Sequence, residues 1–523
     1  MTTAWLVAGA FALALGYCAQ MLRWLRVLQR EHYEPASMYR FWRRWTWPSM
    51  RYARVAALRT SRPITLAYLL WCTFPAALVV AIFAHSDVTF VVDSVVYGVA
   101  CPWALRPRGR TGALQWTRRL RTVALLGLVL SSLVAVIGTA LHDKLLLAAL
   151  VVWLVPFTLA LAARLLEPYE ARLAGKFVDQ ASQRLQRVHS TVVAITGSYG
   201  KTSTKNHLAD LLRGDGGVVA TPKSFNNRAG LSRAINENLA DDTRVFVAEM
   251  GTYGPGEIRE LCAWCPPDVA IVTAIGPVHL ERMKSLDVIE AAKFEVTERA
   301  RVVVVNVDDA RLATWPARLG DRRVRTAGST STSADVRVTS EQSLWHVYVD
   351  GNDVAQMNPI LGVQPTNVAC AIAAALEVGA LVSELPRRLL GIQAVASRAT
   401  VTTAASGVVV VDDTFNANPA SARVSLGVLT GLHLPGRRVV VTPGLIELGD
   451  EQSDQNEELA RDIARRGVEL AIVGRTNIGA LSHGYGHDAR NFRVRDAAVA
   501  WVRESLVAGD GVLYLNDLPD HYP

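Results

Sequence analysis

Residues 191–205 read Thr-Val-Val-Ala-Ile-Thr-Gly-Ser-Tyr-Gly-Lys-Thr-Ser-Thr-Lys, and no other stretch constrains the fold as tightly. The apolar, β-branched run predicts a buried strand, Gly197 and Gly200 a tight turn, and Lys201 the start of a helix. Such a turn aims backbone N–H groups at anionic oxygens, and the helix N-terminus adds positive dipole. Lys201 adds a full charge, and the Thr202 hydroxyl can ligate Mg²⁺. The spacing is the short form G-x-x-G-K-[ST], because Ile195 stands where the longer pattern has its first glycine. The candidate polyphosphate cradle is therefore Gly197, Ser198, Tyr199, Gly200, Lys201, Thr202 and Ser203.

The rest of the chain divides sharply. Half of its 523 residues are hydrophobic, and the excess lies in the first third. Apolar segments at about 3–22, 64–84, 88–105, 122–141 and 144–163 predict four to five membrane helices. The third is short and contains Asp93. The net charge of +8 does not point to nucleic acid. Ten arginines lie between Arg23 and Arg62 and six between Arg106 and Arg121, each group flanked by apolar segments. That is the positive-inside pattern, with these loops cytoplasmic, the N-terminus outside and the chain leaving the last helix into the cytoplasm. The arginines follow the first apolar segment, which is the wrong charge order for a cleaved signal. Tryptophans beside the first arginine group suggest contact with anionic lipid.

Beyond a mixed-charge helix at 164–190, strands alternate with helices. Strands are expected at 191–196, 244–250, 268–274, 301–306, 408–413, 438–442, 469–473 and 511–515. Helices are expected at 201–213, 228–239, 255–263, 287–299, 366–379, 419–431 and 452–466. This predicts a parallel-sheet α/β organisation, with a small antiparallel insert at 335–357. Cys262 and Cys265 form a lone C-x-x-C without a second zinc-spaced pair, and no disulfide framework is implied.

Polar clusters fall at the expected strand ends, where parallel sheets place ligands. Glu249 reads equally as an Mg²⁺ ligand or a helix cap. His279 is a ligand or a structural histidine, and Lys293 a functional or a surface lysine. Asn306-Val-Asp-Asp309 is a site or a plain turn. Asp412-Asp-Thr-Phe-Asn-Ala-Asn-Pro419 is hard to explain by turn chemistry alone.

In order and spacing, these pieces resemble the Mur ligases, ATP-dependent amide-forming enzymes of peptidoglycan synthesis, and among them the MurF type. The matching segments include Gly197–Lys205, Ser224-Phe-Asn-Asn227, Glu249-Met-Gly251, Gly276-Pro-Val-His279 and Ala292-Lys-Phe-Glu295. Asn306–Asp309, Asn367, Arg398, Asp412–Pro419 and Ile446-Glu-Leu-Gly449 complete the set, which covers about 190–515. The resemblance implies that Lys201 and Thr202 bind ATP phosphates and Mg²⁺ together with Glu249. It implies that His279 holds a second Mg²⁺ and that Lys293 becomes a metal-binding carbamate. Asn306 and Asn367 would contact adenine, Arg398 the γ-phosphate, and Asp413 the ribose or phosphates. Asn226 and Asn227, with Asn416 and Asn418, would face the substrate. Lys201, His279, Lys293 and Arg398 are the catalytic candidates.

The expected architecture is a membrane region (1–168), a juxtamembrane helix (169–190), an ATP-binding domain (191–395) and a Rossmann-like α/β C-terminal domain (396–523). A membrane bundle stands where MurF enzymes carry a soluble domain for the UDP end of their precursor. Gln364 replaces a common histidine, and the C-terminus lacks the usual Lys-Gly-Ser. The expected partners are ATP, an amino-acid or dipeptide donor, a muramyl-peptide or lipid-linked acceptor, and membrane lipid. Two alternatives stand beside this reading. One is a membrane-associated poly-γ-glutamate-type synthase, against which the Asp412–Pro419 segment argues. The other is a nucleotide-gated transporter or sensor, which the scarcity of intramembrane charge disfavours.

Overall fold

A computed structural model describes residues 3–46, 114–142, 145–214, 216–222, 225–341, 343–393, 399–414, 417–486 and 489–516. The chain divides into two compact units between Arg172 and Leu173. The second and third apolar segments, 64–84 and 88–105, lie outside the described residues.

In the first unit the other three apolar segments are helical: α1 (Thr3–Arg30), α3 (Arg118–His142) and α4 (Leu145–Val188), with α2 (Pro35–Thr46) after α1. Two stretches, Arg118–Ile137 and Val151–Val188, are long and apolar enough to cross a membrane by length and composition. Trp24, Leu28, Phe41, Leu120, Val123, Val155 and Leu159 form the buried core between the helices. Gly127 permits close packing, since a Cβ there would come within 2.8 Å of Leu159. Ser131 and Thr158 hydrogen-bond at 3.0 Å across the same contact. The opposite face of α3 exposes Leu125, Leu128, Val129, Leu133, Val136 and Ile137. The stretch expected as a juxtamembrane helix is helical as far as Val188.

The second unit holds two sheets. The first comprises β1 (Thr191–Thr196), β2 (Val218–Ala220), β3 (Val245–Glu249), β4 (Val269–Val272), β5 (Val302–Asn306), β6 (Arg323–Gly328), β7 (Val336–Glu341), β8 (Leu344–Val349) and β9 (Asn352–Met357). Their order is β2-β3-β1-β4-β5-β6-β7-β8-β9. The strands through β7 pair in parallel, and β7–β9 form the antiparallel insert. Val193 and Ile195 of β1 join one core, while Val192 and Ala194 join the other. Burial on both faces explains why these strands read as unbroken apolar runs. The short β2 and the charged β6 gave no such run and escaped the sequence pattern.

The second sheet comprises β10 (Thr400–Thr403), β11 (Val409–Asp413), β12 (Arg438–Thr442), β13 (Glu469–Val473), β14 (Arg490–Phe492) and β15 (Gly511–Leu515), in the order β10-β11-β15-β12-β13-β14. All its pairings are parallel except β10–β11. In the first sheet the order of strands switches side at β1, with β3 and β2 added on one flank and β4 onward on the other, all in parallel as far as β7. Open α/β sheets bind ligands in the crevice at such points.

Candidate active site

The loop after β1 has the geometry a phosphate cradle needs. Gly197 and Gly200 take φ of 151° and 79°, values that burden a side-chain-bearing residue. Gly200 caps the helix α5 (Lys201–Leu211), and a Cβ there would collide with the Asn367 amide. Ser198 is held from β4's side: its Oγ donates to the Gly276 carbonyl at 3.0 Å and accepts the Gly276 N–H at 2.9 Å. The Thr273 hydroxyl donates to the Tyr199 carbonyl. Lys201 Nζ folds over the loop and donates to the Gly197 carbonyl at 2.7 Å. The Tyr199 hydroxyl is buried without a hydrogen-bond partner among the described residues, and burial raises its pKa. Ser203 lies in the first turn of α5, partly buried.

Glu249, at the end of β3, gathers three partners. Its Oε2 accepts from Thr202 Oγ1 at 2.9 Å and pairs with Lys205 Nζ at 3.2 Å; its Oε1 accepts from Asn226 Nδ2 at 3.1 Å. Asn226 is pinned further by Gly251 N, which donates to its main-chain carbonyl at 2.7 Å. Asn227 instead caps the helix Arg228–Asn238 through Gly230 N at 2.9 Å. The Thr202 hydroxyl and Glu249 carboxylate are hard oxygen donors of the kind Mg²⁺ prefers, and would hold such an ion if one were bound. Among the described residues no three His, Cys, Asp or Glu side chains converge as a ready-made metal site.

Lys293 lies in the helix α6 (Leu286–Phe294) and is buried rather than solvated. Burial, reinforced by the Lys201 cation, pushes its pKa well below the usual lysine range. No hydrogen bond reaches its ammonium from the described residues. His279 sits just past β4 at φ 55° and contacts Glu447 from the second sheet through Nδ1. Tyr253 packs edge-on against its ring, centroids 4.7 Å apart.

Asn306 donates from Nδ2 to the Thr273 carbonyl at 2.7 Å and accepts Asp308 N at 2.9 Å. Asp308 accepts hydrogen bonds from Ser329, Thr330, Ser331 and Thr366. Thr366 adjoins Asn367 in the first turn of α7 (Pro365–Glu377), so this carboxylate anchors the helix start that abuts Gly200. Asp309 accepts Ile275 N at 2.7 Å. The Asn-x-Asp-Asp segment is thus an interlocked junction between β4, β5 and α7.

In the second sheet, Asp413 is buried at the end of β11 and accepts the Ser425 hydroxyl at 2.7 Å. Asn418 forms a capping box with Ser421 at the start of α8 (Pro419–Gly431). Arg398 and Asn416 lie outside the described residues. Cys262 and Cys265 are buried free thiols, and burial pushes Cys262 up to about 12, which leaves it inert at neutral pH.

Sequence reasoning missed Lys205 and Glu447 as site residues. Lys205 stands one helical turn after Lys201, a spacing that could have placed it beside the site. Glu447 lies 168 positions from its partner, and no local pattern reports such a contact.

The Mur ligase middle domain pattern matches residues 195–376. The chain is 34% identical over 358 residues to the UDP-N-acetylmuramoyl-tripeptide–D-alanyl-D-alanine ligase of Mycobacterium tuberculosis, covering 62% of this chain and 69% of that enzyme. The ligase of the same name from Escherichia coli is 29% identical over 325 residues, covering 60% and 70%. Among solved structures, MurF from Acinetobacter baumannii superposes with a TM-score of 0.59 at 23% identity, covering 66% of this chain and 77% of that one. MurF ligase from Thermotoga maritima in complex with ADP gives 0.56 at 24% identity, covering 66% and 80%.

Proposed function

The chain belongs to the Mur ligase family, and from that premise we propose that it is an ATP-dependent, ADP-forming ligase of the MurF type. Its reaction joins an amino acid or dipeptide, such as D-alanyl-D-alanine, to a muramyl-peptide acceptor in peptidoglycan synthesis. The observation that carries this reading is the Thr202–Glu249–Asn226 chain of hydrogen bonds, which joins a phosphate cradle to the loop expected to face the acceptor.

The acceptor carboxylate attacks the γ-phosphorus of ATP, giving an acyl phosphate and ADP. The donor amine then attacks the acyl carbon, the C–O bond to phosphate breaks, and the amide, phosphate and a proton are released. The first step brings two anions together. Lys201 and the N–H groups of Gly197–Ser203 offset that repulsion, with Arg398 assigned to the γ-phosphate. Mg²⁺ would be held by Thr202 and Glu249, with a second ion at His279, and would neutralise charge developing on the phosphates. Lys293, whose proton burial and Lys201 disfavour, would in its neutral form add CO₂, forming a carbamate and releasing one proton. The product would be an anion, which the Lys201 cation favours. Asn306 and Asn367 are assigned to adenine, Asp413 to the ribose or phosphates, and Asn226, Asn227, Asn416 and Asn418 to the substrate side.

The N-terminal unit is assigned to the cell membrane, with the catalytic unit cytoplasmic. Six large apolar side chains on one exposed face of α3 support this, since water is a poor surround for such a row. Membrane tethering also makes a lipid-linked acceptor chemically reasonable. Full-length protein in detergent, given ATP, D-alanyl-D-alanine and either UDP-N-acetylmuramoyl-tripeptide or its lipid-linked counterpart, tests the proposal by product mass and ADP release. Lys201→Ala should abolish turnover. ADP release that never depends on an amine would overturn the ligase reading.

A further inference from the structure

The contact between His279 and Glu447 joins the loops of two different sheets. Both residues lie in the left-handed region, at φ 55° and 63°. Neither is glycine, so each conformation is strained and persists only where the surroundings impose it.

The segment that leads into Glu447 is held by buried amides. Asn456 accepts Leu445 N at 2.8 Å and donates to the Leu445 carbonyl at 3.0 Å. Asn477 donates to the Pro443 and Leu445 carbonyls at 2.9 and 3.0 Å. Asn516 donates to the Gly444 carbonyl at 2.7 Å. All three side chains are buried. They come from a helix, a strand–helix turn and the end of β15, so the path of residues 443–445, which leads into Glu447, is specified from three directions. Glu281 N, two residues past His279, reaches back to the Glu447 carbonyl at 3.5 Å.

We propose that Glu447 is a positioning residue that grips the His279 ring from the second sheet and presents its Nε2 as a metal ligand; this rests on the reading of His279 as a metal-binding residue. An ionised carboxylate only accepts hydrogen bonds, so Nδ1 carries the proton and Nε2 keeps its lone pair. Carboxylate partners of this kind orient metal-bound histidines, and their loss weakens metal binding about 10- to 100-fold. Tyr253, against the ring, leaves it little freedom to rotate. The second sheet would then complete a site whose other groups lie on the first.

The test uses full-length protein in detergent, saturated with ADP and titrated with Mn²⁺. Continuous-wave electron paramagnetic resonance gives the Mn²⁺ affinity, and pulsed measurements detect an imidazole ¹⁴N coupled to the bound ion. Glu447→Met keeps the bulk but loses the acceptor; it should bind Mn²⁺ roughly 10-fold or more weakly and lose the coupling. Glu447→Gln retains an oxygen acceptor and should stay within about threefold of wild type, a rescue that simple packing would not produce. Wild-type coupling that persists in Glu447→Met at unchanged affinity overturns this inference alone. Absence of coupling in the wild type, matching His279→Ala, overturns the metal-ligand reading and this inference with it.

Discussion

Lys205 Nζ lies 3.2 Å from Glu249 Oε2, and both side chains are 2% exposed. This buried ion pair ties the helix behind the phosphate loop to the carboxylate at the end of β3. Glu249 also bonds Thr202 and Asn226, so the pair sets where the loop's hydroxyl and the neighbouring asparagine stand. Breaking a buried pair by removing one partner costs far more than replacing both. Lys205→Met should therefore lower unfolding free energy by about 3–5 kcal/mol in urea titrations. The double variant Lys205→Met/Glu249→Leu should recover most of that stability and still fail to turn over ATP. Equal stability losses in the single and double variants would contradict the pairing.

Gly200→Ala tests the cradle itself. At φ 79°, with the Asn367 amide in the way of a Cβ, alanine incurs about 1–2 kcal/mol of backbone strain and displaces either the loop or Asn367. A several-fold rise in KM for ATP, larger than any change in KM for the amine, is the expected kinetic signature.

Asp308 should make stability depend on acid pH. Burial alone would raise its pKa, but hydrogen bonds from Ser329, Ser331 and Thr330 outweigh this and hold it well below the usual carboxylate range. A depressed carboxyl pKa stabilises the fold above the unfolded value of about 4 and loses that contribution as pH falls below it. Asp308→Asn should be less stable than wild type by about 1–3 kcal/mol at pH 7. The gap should narrow as the pH is lowered through 4 towards 2 in denaturant titrations.

Lys293 carries the opposite sign. Its folded-state pKa is lowered by burial and by Lys201, so between that value and the unfolded one the unfolded chain binds the extra proton. The side chain is then a stability cost that shrinks as pH rises towards the unfolded value of about 10.4. Lys293→Met should melt higher than wild type in CO₂-free buffer at pH 7, with the difference fading near pH 10. It should also lose at least about 100-fold in kcat. With ¹³C-bicarbonate, a carbamate carbonyl resonance should appear in wild type and be absent from the variant.

The α3 surface predicts membrane behaviour. Leu133 is exposed on the apolar face, and arginine near the centre of a spanning helix costs about 2.5–3.5 kcal/mol on insertion scales. Leu133→Arg should shift protein from carbonate-washed membranes to the soluble or degraded fraction, whereas Thr122→Arg, near the helix start, should not.

Much of this architecture was legible in residue order. The β1, β3, β4 and β5 strands are buried on both faces and announce themselves as apolar runs, and Gly197–Lys201 is a local signal that needs no context. The β7–β9 insert alternates because one of its faces is more exposed. What stayed hidden was short or charged: β2 has three residues, and β6 opens and continues with arginine.

The sequence by itself determined the phosphate loop, the parallel organisation and the family, since these rest on local periodicity and on fixed spacing between neighbours. Only the tertiary structure decided which partners those residues have. It buried Lys293, paired Lys205 with Glu249, turned Asn418 into a helix cap and brought Glu447 to His279 across 168 positions. Burial and electrostatic pairing depend on through-space distance, which the order of residues along the chain does not record.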